Sequence, residues 1–294
     1  MPSGLAQSWK LDGEAAAHLP SPHDHPALAA PAWHRSARNM ENRHGRPCSS
    51  GRPLAIFAIL KRPTPTSVCL LGTGFFLQPH GGFATAAHVA AEAQELLSAI
   101  PDSVGIARML PNGRSRFLPI WKFFIHDAAD VAFGIPRYEF VDDATGGVIR
   151  AKILSLASTP PAIGSPISTW SHPLHLVAGD DTAGQSVRLQ PDFYNGLLQE
   201  LFAERGPSAK LRPPYFQTNI HLHGGSSGGP VFNFGGEVFG IASCSYDGAT
   251  DLAFVTPAAA LLELAIPERI TDDGDEGPRV TLRELAARGQ IMAR

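Results

Sequence analysis

Residues 224–232 read Gly224-Gly225-Ser226-Ser227-Gly228-Gly229-Pro230-Val231-Phe232. This is a glycine-rich turn that opens an apolar strand. Gly225 admits backbone angles closed to other residues, so the N–H groups of Gly225 and Ser227 can point into one concavity. Gly228 and Gly229 leave room for a passing backbone. A serine beside two converging N–H donors suits acyl transfer if two further groups are present: a base to take the hydroxyl proton, and a buried carboxylate to orient that base. Ser-Ser-Gly-Gly is also ordinary turn chemistry, so the reading depends on partners elsewhere in the chain.

Two stretches supply them. Phe83-Ala84-Thr85-Ala86-Ala87-His88-Val89 is a strand running into an Ala-rich helix, with His88 at the junction. His126-Asp127-Ala128-Ala129-Asp130-Val131-Ala132-Phe133 places an Asp at the start of an apolar strand. His88 is the candidate base. Asp127 and Asp130 compete for the third role, and Asp130 is preferred because the apolar strand behind it can bury a carboxylate. The order His, Asp, Ser discriminates among known arrangements. Gly225 to Gly229 also fits the G-x-S-x-G elbow of α/β-hydrolases, but that arrangement puts its His after the Ser. Here the last of twelve histidines is His223. The subtilisin order begins with Asp, and upstream of His88 only Asp12 and Asp24 occur.

The T-A-A-H, D-V-A-F and G-x-S-G-G-P stretches, in this order, resemble the trypsin/chymotrypsin-like serine proteases of the bacterial, disulfide-poor type. Gly72-Thr73-Gly74-Phe75 resembles the strand before the catalytic His. Gly240-Ile241-Ala242-Ser243 resembles the strand lining the substrate cleft, and Leu252-Ala253-Phe254-Val255-Thr256-Pro257 the last barrel strand. The likeness covers roughly residues 54–265. It implies an all-β fold of two six-stranded antiparallel barrels with short helices. It also implies a serine endopeptidase acting through an acyl-enzyme, with His88, Asp130 and Ser227 as triad and the Gly225 and Ser227 amides as oxyanion hole. Alternatives are a catalytically silent peptide-binding relative or an esterase on the same scaffold. By offset from Ser227, His221 and Leu222 fall near the floor of the pocket for the residue before the scissile bond. Ser243, Cys244 and Ser245 form one wall. No Asp sits at the floor, which argues against a preference for Arg or Lys. His221 favours an acidic side chain and Leu222 a small or apolar one; both remain open. Where zymogen-type members carry Asp, this chain has Ser226, so activity is expected to need no N-terminal cleavage. Val89 after His88 means that the common disulfide there is absent.

Length and composition set the frame. The 294 residues carry a formal net charge of -3, with no clustered basic face for nucleic acid. The 29 glycines and 26 prolines, spaced between apolar runs, favour many strands and turns. Residues 1–50 lack periodicity and read as a disordered tail, 51–145 as the first barrel and 146–268 as the second. Residues 269–294 read as an acidic linker and a short C-terminal helix, in which Thr281 and Glu284 suit a capping box. A helical stretch around Tyr194 to Phe202, inside an inserted loop at 192–210, is expected to interrupt the second barrel. Met40 is a credible alternative start to Met1. The cysteines Cys48, Cys69 and Cys244 make no disulfide framework. No signal-like h-region opens the chain, and Leu54–Leu60 is too short to span a bilayer. A cytoplasmic location, a protein or peptide substrate, no membrane, no metal and no cofactor are the expectations. The His221/His223 and His23/His25 pairs read as incidental. The terminal segments are candidates for partner docking.

Overall fold

The computed structural model describes residues 55–64, 66–109, 115–138, 147–148, 150–178, 186–208, 210–245, 251–268 and 276–294. Met40, Cys48, His23 and His25 and the tail lie outside these residues, as does most of 141–149 and of the acidic linker.

Six strands close the first barrel: β1 (Ile56–Lys61), β2 (Cys69–Phe76), β3 (Phe83–Thr85), β4 (Val104–Met109), β5 (Ser115–Ile125) and β6 (Ala132–Pro136). Helix α1 (Ala87–Ala99) follows β3 and buries Val89, Ala90 and Ala93. One pairing decides where the chemistry sits. β3 and β6 are antiparallel, with Thr85 opposite Ala132. His88 lies just past the end of β3 and Asp130 just before the start of β6, so both emerge at the same rim.

The second barrel closes through β7 (Pro166–Ala178), β8 (Ser186–Phe202), β9 (Tyr215–Thr218), β10 (Pro230–Phe232), β11 (Val238–Ser245) and β12 (Ala253–Pro257). Ser227 precedes β10, which pairs with β11 through Pro230 and Ile241. Gly228 N–H donates to Ala242 O at 2.8 Å and Ala242 N–H to Gly229 O at 2.9 Å, so the serine turn is seated on the middle of β11. Two closed, six-stranded antiparallel barrels make this the chymotrypsin-like double barrel.

The helical reading of Tyr194 to Phe202 is corrected: the segment is the second half of β8. It pairs with β7 on one side and β9 on the other. A bulge between Leu198 and Glu200 breaks the two-residue alternation by which a strand is read from sequence. Residues 151–155 form no strand, and Leu156 makes isolated bridges to Val238 and Ala293.

After β12 come a 3-10 turn (Ala258–Glu263), β13 (Ala265–Pro267), β14 (Arg279–Thr281) and helix α2 (Leu282–Ala287). Thr281 and Glu284 form a capping box at α2. Leu282, Leu285 and Ile291 are buried in the same apolar cluster as Phe75, Phe83 and Phe133 of the first barrel and Phe232, Val238 and Ile241 of the second.

Candidate active site

The His88 imidazole meets Asp130 head on. Its Nδ1 lies 3.0 Å from both carboxylate oxygens, and the His88 backbone N–H donates to Oδ1 at 3.0 Å. The Asp130 side chain is only 11% exposed, whereas that of His88 is 50% exposed. Burial alone would raise the Asp130 carboxyl. The hydrogen bonds and charge of His88, with a further bond from the Ser243 hydroxyl, outweigh burial and hold it below the usual range. An ionised carboxylate on Nδ1 leaves Nε2 facing outward as the basic nitrogen. Asp127 is exposed.

The loop carrying Asp130 is itself pinned by His126. Its Nδ1 accepts the N–H groups of Ala128 at 3.1 Å and Ala129 at 2.9 Å. A His one residue before Asp127 gave no such signal in the sequence.

Residues 223–226 form a turn closed by Ser226 N–H donating to His223 O at 3.0 Å, with Gly225 at φ +94° in its third position. That left-handed angle is what a type II turn asks of glycine. A Cβ at Gly225 would also meet the Leu70 side chain at 2.5 Å and His172 O at 2.6 Å. Among the described residues, neither Gly225 N–H nor Ser227 N–H donates a hydrogen bond. Two free donors thus flank the Ser227 hydroxyl, which donates to Ser243 O at 3.0 Å. Among the described residues no hydrogen bond joins it to His88.

Ser243 anchors the nucleophile: its hydroxyl lies 2.8 Å from Thr256 Oγ1 and donates to Ile241 O at 3.4 Å, while its carbonyl receives Ser227. Ser245 Oγ donates to Leu222 O at 3.0 Å, tying the strand after Ser243 to the segment before the turn. The Leu222 side chain is buried with Ala242, Ala253 and Val255. His221 turns the other way. Its Nε2 lies 3.1 Å from His223 Nδ1, and both rings pack beside Tyr194. Cys244 is a half-buried free thiol, raised by burial, against Leu211, Tyr215 and Phe254. Among the described residues no three His, Cys, Asp or Glu side chains converge as metal ligands. No described helix is long and apolar enough to cross a membrane.

Ser226 is fully buried and accepts a hydrogen bond from Ser171 Oγ at 3.0 Å. His172 beside it is also buried, its Nδ1 has no partner, and burial lowers its pKa to about 4. Neither Ser171 nor His172 carried a sequence signal, because their place in the site comes from the fold of β7.

The family described as Trypsin-like peptidase domain matches residues 72–241. A protein of Pseudomonas savastanoi pv. phaseolicola, named a DegP-like periplasmic serine endoprotease, is 27% identical over 198 residues, covering 66% of this chain and 34% of that one. A protein of the same name from Ectopseudomonas mendocina is 26% identical over 207 residues, covering 69% of this chain and 36% of that one. The chain thus matches about a third of the length of these relatives. Among solved structures, the active form of the Rv3671c protease from M. tuberculosis is 18% identical with a TM-score of 0.48, covering 70% of this chain and 77% of that one. The names of the relatives overturn the expected cytoplasmic location, since they place those proteins in the periplasm. The sequence argument failed there because a missing h-region is a negative signal.

Proposed function

The chain belongs to the trypsin-like peptidase domain family, and from that premise we infer that it is a serine endopeptidase with His88, Asp130 and Ser227 as its triad. The observation that carries the reading is the buried Asp130 carboxylate on His88 Nδ1, across from a serine flanked by two unpaired amides. Ser227 rotates about its Cα–Cβ bond from Ser243 O toward His88 Nε2 and gives up its proton as Oγ attacks the substrate carbonyl. The oxygen that becomes negative is held by the Gly225 and Ser227 N–H groups. Imidazolium His88, steadied by Asp130, then protonates the leaving amine. Water repeats the sequence on the acyl-enzyme. Protein or peptide is the substrate, and the periplasm or the cell exterior is the setting.

A silent relative is the second reading, and the bond from Ser227 to Ser243 O is what favours it. Fluorophosphonate labelling of the full chain beside Ser227→Ala, with the modified peptide mapped, tests both. Labelling at Ser227 that vanishes in the variant supports the enzyme; a chain that never labels is a binding protein.

Activity needs no cleavage near the N-terminus. The buried hydroxyl pair of Ser171 and Ser226 stands where an Asp would await a new amine, and it supports the turn without one. Trimming the chain after residue 50 is expected to leave the labelling rate unchanged; a rise from near zero to full rate refutes this.

A further inference from the structure

The turn that presents the two amides has little side-chain packing at its Gly224 end. Gly224 and Gly225 adjoin, and a Cβ at Gly224 would meet nothing within 4 Å. Rotation of the peptide between them costs little side-chain packing and would turn the Gly225 N–H away. Something outside the turn must hold it.

Thr73, in the middle of β2 on the other barrel, is fully buried. Its N–H donates to Ser227 O at 2.8 Å, and its hydroxyl donates to Gly225 O at 2.8 Å. The same hydroxyl accepts His172 N–H at 3.0 Å, and its carbonyl accepts Thr85 Oγ1 at 2.8 Å. The carbonyls of both residues that offer an amide are thus held by one residue. These bonds fix the Gly225–Ser226 and Ser227–Gly228 peptide planes, and with them the Cα atoms across which the Gly225 and Ser227 N–H groups are set. Thr85 is also three residues from His88, so one residue ties the nucleophile turn to the strand end that carries the base.

We propose that Thr73 is a positioning residue that holds the Gly225 and Ser227 amides in their oxyanion-binding orientation. This rests on the triad reading above. No charge is involved, and the hydroxyl acts because it is donor and acceptor at once.

The test uses the full chain as wild type, Thr73→Val, Thr73→Ala and Thr73→Ser. Four quantities are read: kcat and KM on a peptide p-nitroanilide, the affinity of a peptide aldehyde, and amide exchange at Ser226, whose N–H closes the turn. Thr73→Val keeps the shape and loses the hydroxyl. It is expected to lower kcat about a hundredfold, the scale of losing one oxyanion donor. KM should stay within about threefold, aldehyde binding should weaken in parallel with kcat, and Ser226 should exchange about tenfold faster. If Val does not fold, Thr73→Ala admits water to the two orphaned partners and must show the same split. Thr73→Ser must restore all four values to within about threefold, since it keeps the hydroxyl. A Val or Ala chain with unchanged kcat and Ser226 exchange, or a Ser chain as impaired as Val, overturns the role. A wild type that neither cleaves nor binds aldehyde, with Ser226 exchange still faster in Thr73→Val, overturns the enzymatic reading and supports the clamp.

Discussion

Asp130 accepts two N–H groups from one histidine, the ring Nδ1–H shared between its two oxygens and the backbone N–H at Oδ1. Replacing it by Asn keeps an oxygen for the backbone N–H but sets an NH2 or a neutral oxygen against Nδ1. The imidazole then loses the charge that stabilises its protonated form and the restraint on its tautomer. Asp130→Asn is expected to lower kcat by about four orders of magnitude while the thermal midpoint moves by a few degrees or less, read by p-nitroanilide turnover and calorimetry on the same preparation. His172 makes a different prediction. Its buried imidazole is neutral down to about pH 4, whereas in the unfolded chain it ionises near its ordinary 6.5. Between those values the unfolded chain binds a proton that the folded chain does not. Stability is therefore full above about pH 6.5 and declines as the pH falls toward 4, by about 3 kcal/mol in total. Urea midpoints at pH 7 and 4.5 should separate for the wild type and draw together in His172→Leu; equal separation in both would put the acid sensitivity elsewhere. The three residues proposed as the triad stand out in the sequence because each lies in a local pattern, at a strand end or in a glycine turn. Thr73 and His172 do not, because their partners are 152 and 99 residues away and chosen only when the barrels meet.

At the scale of elements, the serine turn and β2 fit without space for a methyl group. A Cβ on Gly72 would lie 2.8 Å from Ser227 O and 2.8 Å from the Val89 side chain. Val89 can turn, but the carbonyl is already fixed by Thr73 N–H. Gly72→Ala is expected to cost about 1–3 kcal/mol from overpacking and to slow fluorophosphonate labelling at least about tenfold, since the only relief is to shift Ser227. Gly228 is more constrained. It sits at φ +87°, and its Cβ would meet the Thr73 carbonyl and the Thr85 hydroxyl. Gly228→Ala should therefore be the more destabilised of the two in urea titration; the reverse order would mean that the turn relaxes freely. Elements differed in how well the sequence announced them. The β10 to β12 run reads plainly, because its apolar residues alternate or stay continuous between glycine turns. β8 is not announced by a clean alternation, which a bulge between Leu198 and Glu200 interrupts, and its cross-strand partners in β7 and β9 are what reveal it as a strand.

Across the whole molecule, the proposed base His88 and nucleophile Ser227 stand at the ends of different barrels, so the proposed site is only as well made as the joint between them. That joint is largely apolar. Phe232, Val238 and Ile241 of the second barrel share one buried cluster with the first barrel, and the C-terminal segment completes it through Val280, Leu282, Leu285 and Ile291. Backbone bonds fasten the same segment to Leu156, from Leu156 N–H to Met292 O at 2.8 Å and from Arg294 N–H to Leu156 O at 2.9 Å, and Leu156 in turn bridges to Val238 of β11. Glu276 reaches the first barrel at Lys122, which lies against Trp121 and Phe124. The C-terminal segment, offered by the sequence for docking a partner, packs through these buried residues where the two barrels meet. Its removal should act on both barrels together. Leu285→Ala is expected to cost about 2–5 kcal/mol, the usual range for a buried leucine, with one cooperative transition and normal labelling per folded molecule. Deleting residues 277–294 exposes the whole apolar seam, a loss comparable to the net stability of an ordinary domain. It should leave a chain that neither labels nor unfolds cooperatively. A truncated chain that labels at the wild-type rate and melts in one transition would mean that the barrels hold each other without this segment.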